Sequence, residues 1–364
     1  MTKPYAIRKF VYSDVDSILD LLDEVFHPPF QFTEQWWNWK YIKNPAGFLG
    51  EVGGIWVAED KGKIIGHYSV MPYQFRVDNS KFMAGQSVDT AVHPDYRRMG
   101  IFSALAKKVF EAVRSNCAFL FGNPTQMAIG GFTNLGWSSY PANEIVKFRS
   151  YDVALKVFFG NSLSTMAVRG LLKTWSFLNQ NFSFIKNNHG FKQKDVVMQR
   201  IEFFDSGIDE MFDAQRNRYL MLDRSATFLN WRFRQPFGPY ELWVGKSKEN
   251  HDLLGYVVLR RNCIKTINVL DIVDIYSFEN DNSYWNAALD MCLHVPNIDI
   301  VRLRIPNWHV SSKIASRKGF IGVGKFLGRI GLYEPKIISY SYEEKSSILK
   351  TSRWFYSWAD TDYA

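Results

Sequence analysis

The sequence has little cysteine, no long uncharged apolar run and no dense cationic tract, and each shortage excludes a class of protein. Cys117, Cys263 and Cys292 are its three cysteines, scattered and odd in number. Neither a disulfide framework nor a zinc site is therefore expected, and no metal. Arg, Lys or Asp interrupts every apolar stretch before it reaches the roughly 18 residues that a membrane-spanning helix needs. Met1 to Tyr5 lead straight into strand-like sequence without the apolar segment of a secretory leader. A cytoplasmic protein is the expectation. The glycine spacings of Walker and dinucleotide-binding loops are missing as well.

What is present is a basic, aromatic chain. Lys and Arg outnumber Asp and Glu to leave a net charge of +8, which favours an anionic partner. The cations are spread along the chain, so a phosphorylated small molecule is expected and nucleic acid is not. The 29 Phe, 18 Tyr and 12 Trp imply large aromatic cores, with stacking on a sugar or acyl chain as the alternative use. At 364 residues the chain exceeds one ordinary core and suits two domains.

The first half reads as an alternation of strands and helices. Tyr5 to Phe10 is strand-like. Ser13 resembles a helix N-cap with Asp16 three residues on, before a helix carrying Ile18, Leu19 and Leu22 on one face. A Trp-rich segment, Trp36 to Tyr41, follows. Strands are expected over Ile55–Glu59, Ile64–Val77, Gly85–Val92 and Ala118–Phe121, the first two joined by a hairpin turn at Lys61-Gly62-Lys63. Helices are expected over Ile101–Val113 and Gln126–Leu135, the second closed by Gly136.

The second half repeats these landmarks in order. Asn230-Trp231-Arg232-Phe233 echoes Asn38-Trp39-Lys40-Tyr41, Val273-Asp274 answers Val88-Asp89, and Gly319-Phe320 answers Gly136-Trp137. The offset drifts only between 192 and 183 along the way, which indicates internal duplication of one αβ unit. The expected domains are 1–150, a helical connector at 151–195, a degenerate second copy at 196–335, and a tail at 336–364. Trp175 and Leu172 in the connector would suit packing between domains or, alternatively, a membrane-surface helix.

One stretch carries chemistry: Val88-Asp89-Thr90-Ala91-Val92-His93-Pro94-Asp95-Tyr96-Arg97-Arg98-Met99-Gly100-Ile101-Phe102-Ser103. A strand ends at Val92 and a basic turn enters a helix near Gly100. Unpaired N–H groups at a helix start favour an anion. Gly100 allows close backbone approach, and Arg97 and Arg98 add charge. Physically this is a pyrophosphate cradle. Carrying Arg97 and Gly100 onto the second copy at an offset of 185 gives Asn282 and Trp285, where charge and access are both lost.

The loop resembles the acyl-CoA loop of the GNAT acyltransferases, whose pattern is Gln/Arg-x-x-Gly-x-Gly/Ala. Arg97, Gly100 and Phe102 take those positions, and Phe102 departs from the usual small residue. The resemblance covers Tyr5 to about Tyr140. It implies an α/β (α+β) protein of two tandem GNAT-like domains, each a mixed, mostly antiparallel sheet flanked by helices, and acyl-CoA-dependent N-acyl transfer with acetyl-CoA or another acyl-CoA. It places the cofactor on Arg97, Arg98, Met99, Gly100, Ile101, Phe102 and Ser103, with the Ala91 and Val92 backbone facing the carbonyl and Asn123 or Thr125 binding the pantetheine. The family's usual acid, a Tyr, maps to Phe132, which has no hydroxyl; Tyr140 is the substitute, or else a surface residue. Asp89 and His67 are the candidate bases, though Asp274 in the degenerate copy favours a structural Asp89. A water relay without a dedicated base also stays open. His93 reads as a solvated turn residue. The implied acceptor is a primary amine on a polar small molecule such as an amino sugar. A non-catalytic acyl-CoA-binding protein and a peripheral-membrane acyltransferase on a lipid-linked sugar remain as alternatives.

Overall fold

The computed structural model describes residues 5–27, 31–78, 80–150, 153–154, 196–214, 219–234, 238–278, 281–322, 336–342, 349 and 353–361. In chain order the first half contains β1 (Ala6–Lys9), α1 (Val15–Phe26), α2 (Glu34–Trp37), β2 (Ile55–Asp60), β3 (Lys63–Val77), β4 (Ser80–Val92), α3 (Ile101–Val113), β5 (Phe119–Gly122), α4 (Ile129–Asn134), β6 (Ser138–Pro141) and β7 (Glu144–Phe148). Then come β8 (Val196–Ile201), α5 (Gly207–Ala214), β9 (Tyr219–Leu222), α6 (Ala226–Phe233), β10 (Tyr240–Ser247), β11 (Leu253–Ile264) and β12 (Ile267–Ser277). The chain continues through α7 (Asn282–His294), β13 (Ile300–Arg304), α8 (Val310–Arg317), β14 (Ile321–Gly322), β15 (Lys336–Ser341) and β16 (Arg353–Trp354).

These elements form two compact units that are discontinuous in sequence, where contiguous spans had been expected. One comprises Met1–Tyr140, Arg216–Pro236 and Lys336–Trp354; the other comprises Pro141–Gln215, Phe237–Pro335 and Phe355–Ala364. The reason is strand pairing. β15, from the far end of the chain, pairs with β5 in the first unit, and β7 pairs with β13 in the second. The expected connector at 151–195 lies almost wholly outside the described residues, Leu172 and Trp175 included. No helix among the described residues is long and apolar enough to cross a membrane.

In the first unit the sheet runs β1-β2-β3-β4-β5-β15-β6, with β9 also paired to β3 and β16 to β9. The β2–β3 turn places Lys61 and Gly62 at φ 49° and 82°, the paired left-handed geometry whose twist matches a two-residue hairpin. α3 buries Ile101, Leu105, Ala106, Val109, Phe110 and Val113, spaced so that they share one face of a 3.6-residue helix. It packs flush on β3, where a Cβ added at Gly66 would come within 2.7 Å of Ile101. Tyr68, Val70, Leu120, Phe132 and Trp137 complete this core. On the other side, Trp37 faces His67 and Tyr41 bonds Ser69, so the π-helical turn Asn38–Ile42 that follows α2 lies over β3.

Two local expectations need correcting. α1 starts at Val15 rather than after a Ser13 cap. Asp14, buried and bound by Arg8 at 2.7 Å, accepts the Val11 N–H and organises the turn instead. α4 begins at Ile129, three residues later than expected.

The second unit repeats the plan in the order β14-β7-β13-β12-β11-β10-β8. α8 ends as α4 does. Gly136 and Gly319 take φ 87° and 82°, and the next residues, Trp137 and Phe320, donate back to Phe132 and Ala315. Both are Schellman-type stops that only glycine adopts without strain. Across β12, β13 and β7 this unit carries buried ion pairs. Arg302 meets Asp271 at 2.7 Å, Arg304 meets Glu144 at 3.4 Å, and both guanidinium groups lie over the Trp358 ring at 4.2 and 4.3 Å.

Candidate active site

The site is built where two neighbouring strands stop pairing. β4 runs alongside β3 for its whole length, but it meets β5 only at Gly85 with Leu120 and Gln86 with Phe121. From Ser87 to Val92 no strand among the described residues flanks β4 on that side. Side chains take up part of this backbone, with Ser69 on the Val88 carbonyl, His67 on the Asp89 carbonyl and Arg97 on the Val92 carbonyl. Ala91 is opposite His67 and Val92 opposite Gly66. Asn123 follows β5 at the mouth of this opening, and its Oδ1 is buried without a partner. Thr125 is exposed.

The loop from β4 to α3 spans residues 93–100. His93 is not the solvated turn residue expected from sequence. It is 6% exposed, accepts the Asp95 N–H on Nδ1 and places Nε2 2.9 Å from Glu24, so its ring braces the turn. Tyr5 donates to the Met99 carbonyl at 3.0 Å and Tyr96 to Asp60 at 2.8 Å, pinning the loop at two further points. Arg98 and Gly100 both adopt left-handed conformations, φ 64° and 78°. Such alternation turns successive N–H groups toward one concavity suited to anions. Gly100 is also the N-cap of α3 and offers no side-chain cap, and a Cβ there would meet nothing within 4 Å. The first-turn N–H groups of Ile101, Phe102 and Ser103 thus have no side-chain cap and follow exposed Arg97 and Arg98. Ile101 itself is buried, so its contribution is main chain alone. Phe102 packs against Tyr68 and Phe132, ring centroids 5.9 and 5.2 Å away. Its bulk is absorbed by the core.

The second copy lacks this loop for a reason simpler than two substitutions. Its strand ends at Ser277 and its helix starts at Asn282, leaving only residues 278–281. The offset of 185 therefore does not carry across: helix starts align Ile101 with Asn282, and Asn282 and Trp285 are helical rather than loop residues. Asp281 caps α7 by accepting the Ser283 N–H at 2.7 Å, which puts a carboxylate where an anion would sit.

Of the catalytic candidates, Tyr140 lies on β6 and is 47% exposed. Phe132 is buried between Phe102 and Trp137. No hydroxyl stands at that place on α4. His67 is fully buried, with Nδ1 2.7 Å from the Asp89 carbonyl, and burial pushes its pKa below the ordinary value. The carbonyl can only accept, so Nδ1 carries the proton of a neutral ring. Asp89 is held by groups that the sequence reading missed. Lys40 Nζ donates to it at 2.8 Å and the Tyr41 hydroxyl at 2.5 Å, with Ser69 2.7 Å beyond. The signal was a lysine inside an otherwise aromatic segment, which must bring its own counter-charge if buried.

Residues 6–139 match the family model described as an acetyltransferase (GNAT) domain. By sequence, no curated protein matches the chain. Among solved structures, the fold is similar to a GCN5-related N-acetyltransferase from Anabaena variabilis, at TM-score 0.60 and 10% identity over 92% of this chain and 72% of that one. It is also similar to a conserved protein from Enterococcus faecalis described as a probable N-acyltransferase, at TM-score 0.61 and 12% identity over 93% and 73%. N-myristoyltransferase from Saccharomyces cerevisiae with bound myristoyl-CoA superposes at TM-score 0.52 and 12% identity, over 94% of this chain and 80% of that one.

Proposed function

We propose, from the premise that the chain belongs through residues 6–139 to the GNAT acetyltransferase superfamily, that it transfers an acyl group from acyl-CoA to a primary amine of a polar small molecule. The observation that carries this is the uncapped start of α3 behind a loop with two left-handed residues, set beside a strand edge without a neighbour. The residues suit the group. Arg97, Arg98 and the N–H groups of residues 101–103 would hold a pyrophosphate. The orphaned Oδ1 of Asn123 would accept an amide N–H of the pantetheine.

Acyl-CoA would supply a thioester carbonyl already activated toward attack. The chain's part is then positional and electrostatic. The Ala91–Val92 backbone would face the carbonyl oxygen where charge develops, a contribution that depends on main-chain placement. Acetyl is the acyl group we favour, and an amino sugar the acceptor. The net charge of +8 supports a phosphate-bearing acceptor such as a nucleotide-linked sugar.

The test is calorimetry with acetyl-CoA, comparing the unaltered chain with Arg97→Ala/Gly100→Trp. A side chain at φ 78° is strained and would fill the anion site. Affinity is expected to fall by about a hundredfold or more. Titration with succinyl and longer acyl-CoA then sets chain length, and release of CoA over an amino-sugar panel finds the acceptor. No binding of any acyl-CoA by the unaltered chain sinks the proposal. A second reading, acyl-CoA binding without transfer, is favoured by Phe132 standing where a hydroxyl acid is usual. Tight binding with no CoA release over a broad amine panel would select it.

A further inference from the structure

β4 carries a bulge at the site. His67 pairs with Ala91 and Ser69 with Val88, so Asp89 and Thr90 together oppose the single residue Tyr68. Asp89 takes φ 48°, a left-handed conformation that Asp tolerates better than most side chains but still at a cost. Four groups hold this short segment. Ser69 donates to the Val88 carbonyl at 2.9 Å, the His67 Nδ1–H reaches the Asp89 carbonyl, and Lys40 and Tyr41 grip the Asp89 carboxylate. Lys40 and Tyr41 are adjacent in sequence, and on a regular α-helix neighbours point about 100° apart. The π turn Asn38–Ile42, closed by the Lys43 N–H on the Asn38 carbonyl, lets both reach one carboxylate. The second copy keeps a bulge, with Val273 as the extra residue between the pairs Val258–Asp274 and Leu259–Ile272. No residue of that bulge is left-handed.

We propose that Asp89 and His67 are positioning residues, not bases. Together with Lys40 and Tyr41 they clamp the β4 bulge so that the Ala91–Val92 backbone turns into the opening beside β5, where it polarises the acyl carbonyl. The inference rests on the acyl-CoA reading above. Its geometric basis is that a base must come within hydrogen-bond reach of the acceptor's proton. The Asp89 side chain is 8% exposed with its oxygens bonded inward, and His67 is 0% exposed, with its free Nε2 lone pair enclosed near the Trp37 ring. The clamp lies two residues from the backbone it would aim.

The experiment reads the carbonyl directly, so it needs no acceptor. Acetyl-CoA labelled with carbon-13 at the thioester carbonyl is bound to the full chain and its stretching frequency recorded by isotope-edited infrared spectroscopy. The unaltered chain is expected to lower that frequency relative to free acetyl-CoA. Asp89→Asn, which tolerates a left-handed backbone and still accepts hydrogen bonds, should keep the lowered frequency. Asp89→Val should return it toward the free value and weaken acetyl-CoA binding about tenfold. Affinity for 3′-phosphoadenosine 5′-diphosphate, which lacks the acyl arm, should stay within about twofold. If Asp89→Val does not fold, Lys40→Met and Tyr41→Phe provide the same comparison. A lowered frequency that persists in Asp89→Val, or in Lys40→Met and Tyr41→Phe, overturns the proposal, as does its loss in Asp89→Asn. A flat titration of the unaltered chain with acetyl-CoA overturns instead the reading on which it rests.

Discussion

The corner from β4 to α3 and the corner from β12 to α7 are built on one plan, and only the first has the loop that we propose as an anion site. Both have a long strand with a bulge, a helix of the same length and a parallel strand beyond. They differ in two local features. The first has an eight-residue loop, 93–100, and the second four residues, 278–281. The first helix begins at a bare glycine and the second at a capping aspartate. Both strands lose their parallel neighbour part-way, β4 after Gln86 and β12 after Ile272. On the second, Asp271 and Arg302 form a cross-strand ion pair just before the pairing stops, under Trp358. The duplicated framework is thus a matter of apolar pattern and helix stops, whereas the proposed binding rests on one insertion and one uncapped end.

The comparison can be broken most strongly at two buried histidines, His67 and His309, which do opposite jobs. His67 donates from Nδ1 to a carbonyl, while His309 accepts the Ser311 N–H on Nδ1 as the cap of α8. Burial lowers the His309 pKa to about 4. The unfolded chain takes up that proton near the ordinary value of about 6.5. Between the two values the unfolded state binds more protons, so stability is full above about 6.5 and declines as pH falls toward 4. The expected loss is about 3 kcal/mol. Thermal unfolding from pH 7 to 4 checks it, with His309→Asn as the comparison because Asn still caps but does not titrate. Equal pH slopes for the two proteins would remove the role given to His309. His67 acts in the same direction, its pKa also being lowered by burial.

A smaller effect is expected where the repeated tryptophan motif meets itself. Trp39 and Trp231, 192 positions apart in the sequence, stack at 5.4 Å, and each indole N–H donates to the other's carbonyl at 2.9 Å. Both belong to the first unit. Trp231→Ala removes a half-buried ring and the donor to the Trp39 carbonyl, a loss of about 2 kcal/mol. Trp39→Ala should cost the same, and the double variant less than the sum, because both delete one interaction. Strict additivity in denaturant unfolding would show that the reciprocal pairing is geometric only.

How far all this could be read beforehand follows from the range of each cause. Apolar periodicity is local, and it placed α3 at Ile101–Val113 to the residue and β3 and β2 nearly so. The repeat was legible because its markers, Gly136 and Gly319 at helix stops and the paired Trp motifs, answer to local backbone and packing needs. The loop was legible through Arg97 and Gly100 for the same reason. What pairs across the chain was not. Nothing near Lys336 announces that residues 336–341 will lie beside β5, and nothing near Glu144 that residues 144–148 will pair with β13. The anchoring of Asp89 also depends on residues 48 and 49 positions away. The shortened second loop escaped notice because a constant offset hides a deletion.

The smallest effect sharpens the comparison at the ends of α4 and α8, where Phe132 and Ala315 hold equivalent places before the closing glycines. Neither can donate a proton, so the absence of an acid there belongs to both copies and does not separate the copy with the loop from the other. Phe132→Tyr adds a hydroxyl to a ring that is 5% exposed and edge-on to Phe102 and Trp137. If that hydroxyl finds no partner, burial costs about 1 kcal/mol, seen as a modest fall in melting temperature. Acetyl-CoA affinity should not change, since the loop and the Ala91–Val92 backbone are untouched. CoA release with any acceptor found in the amine panel then decides what the position does. A rise in turnover with affinity unchanged would show that an acid at residue 132 was the missing part. No rise, with the expected loss of stability, would show that the ring serves only to seat Phe102 under the loop.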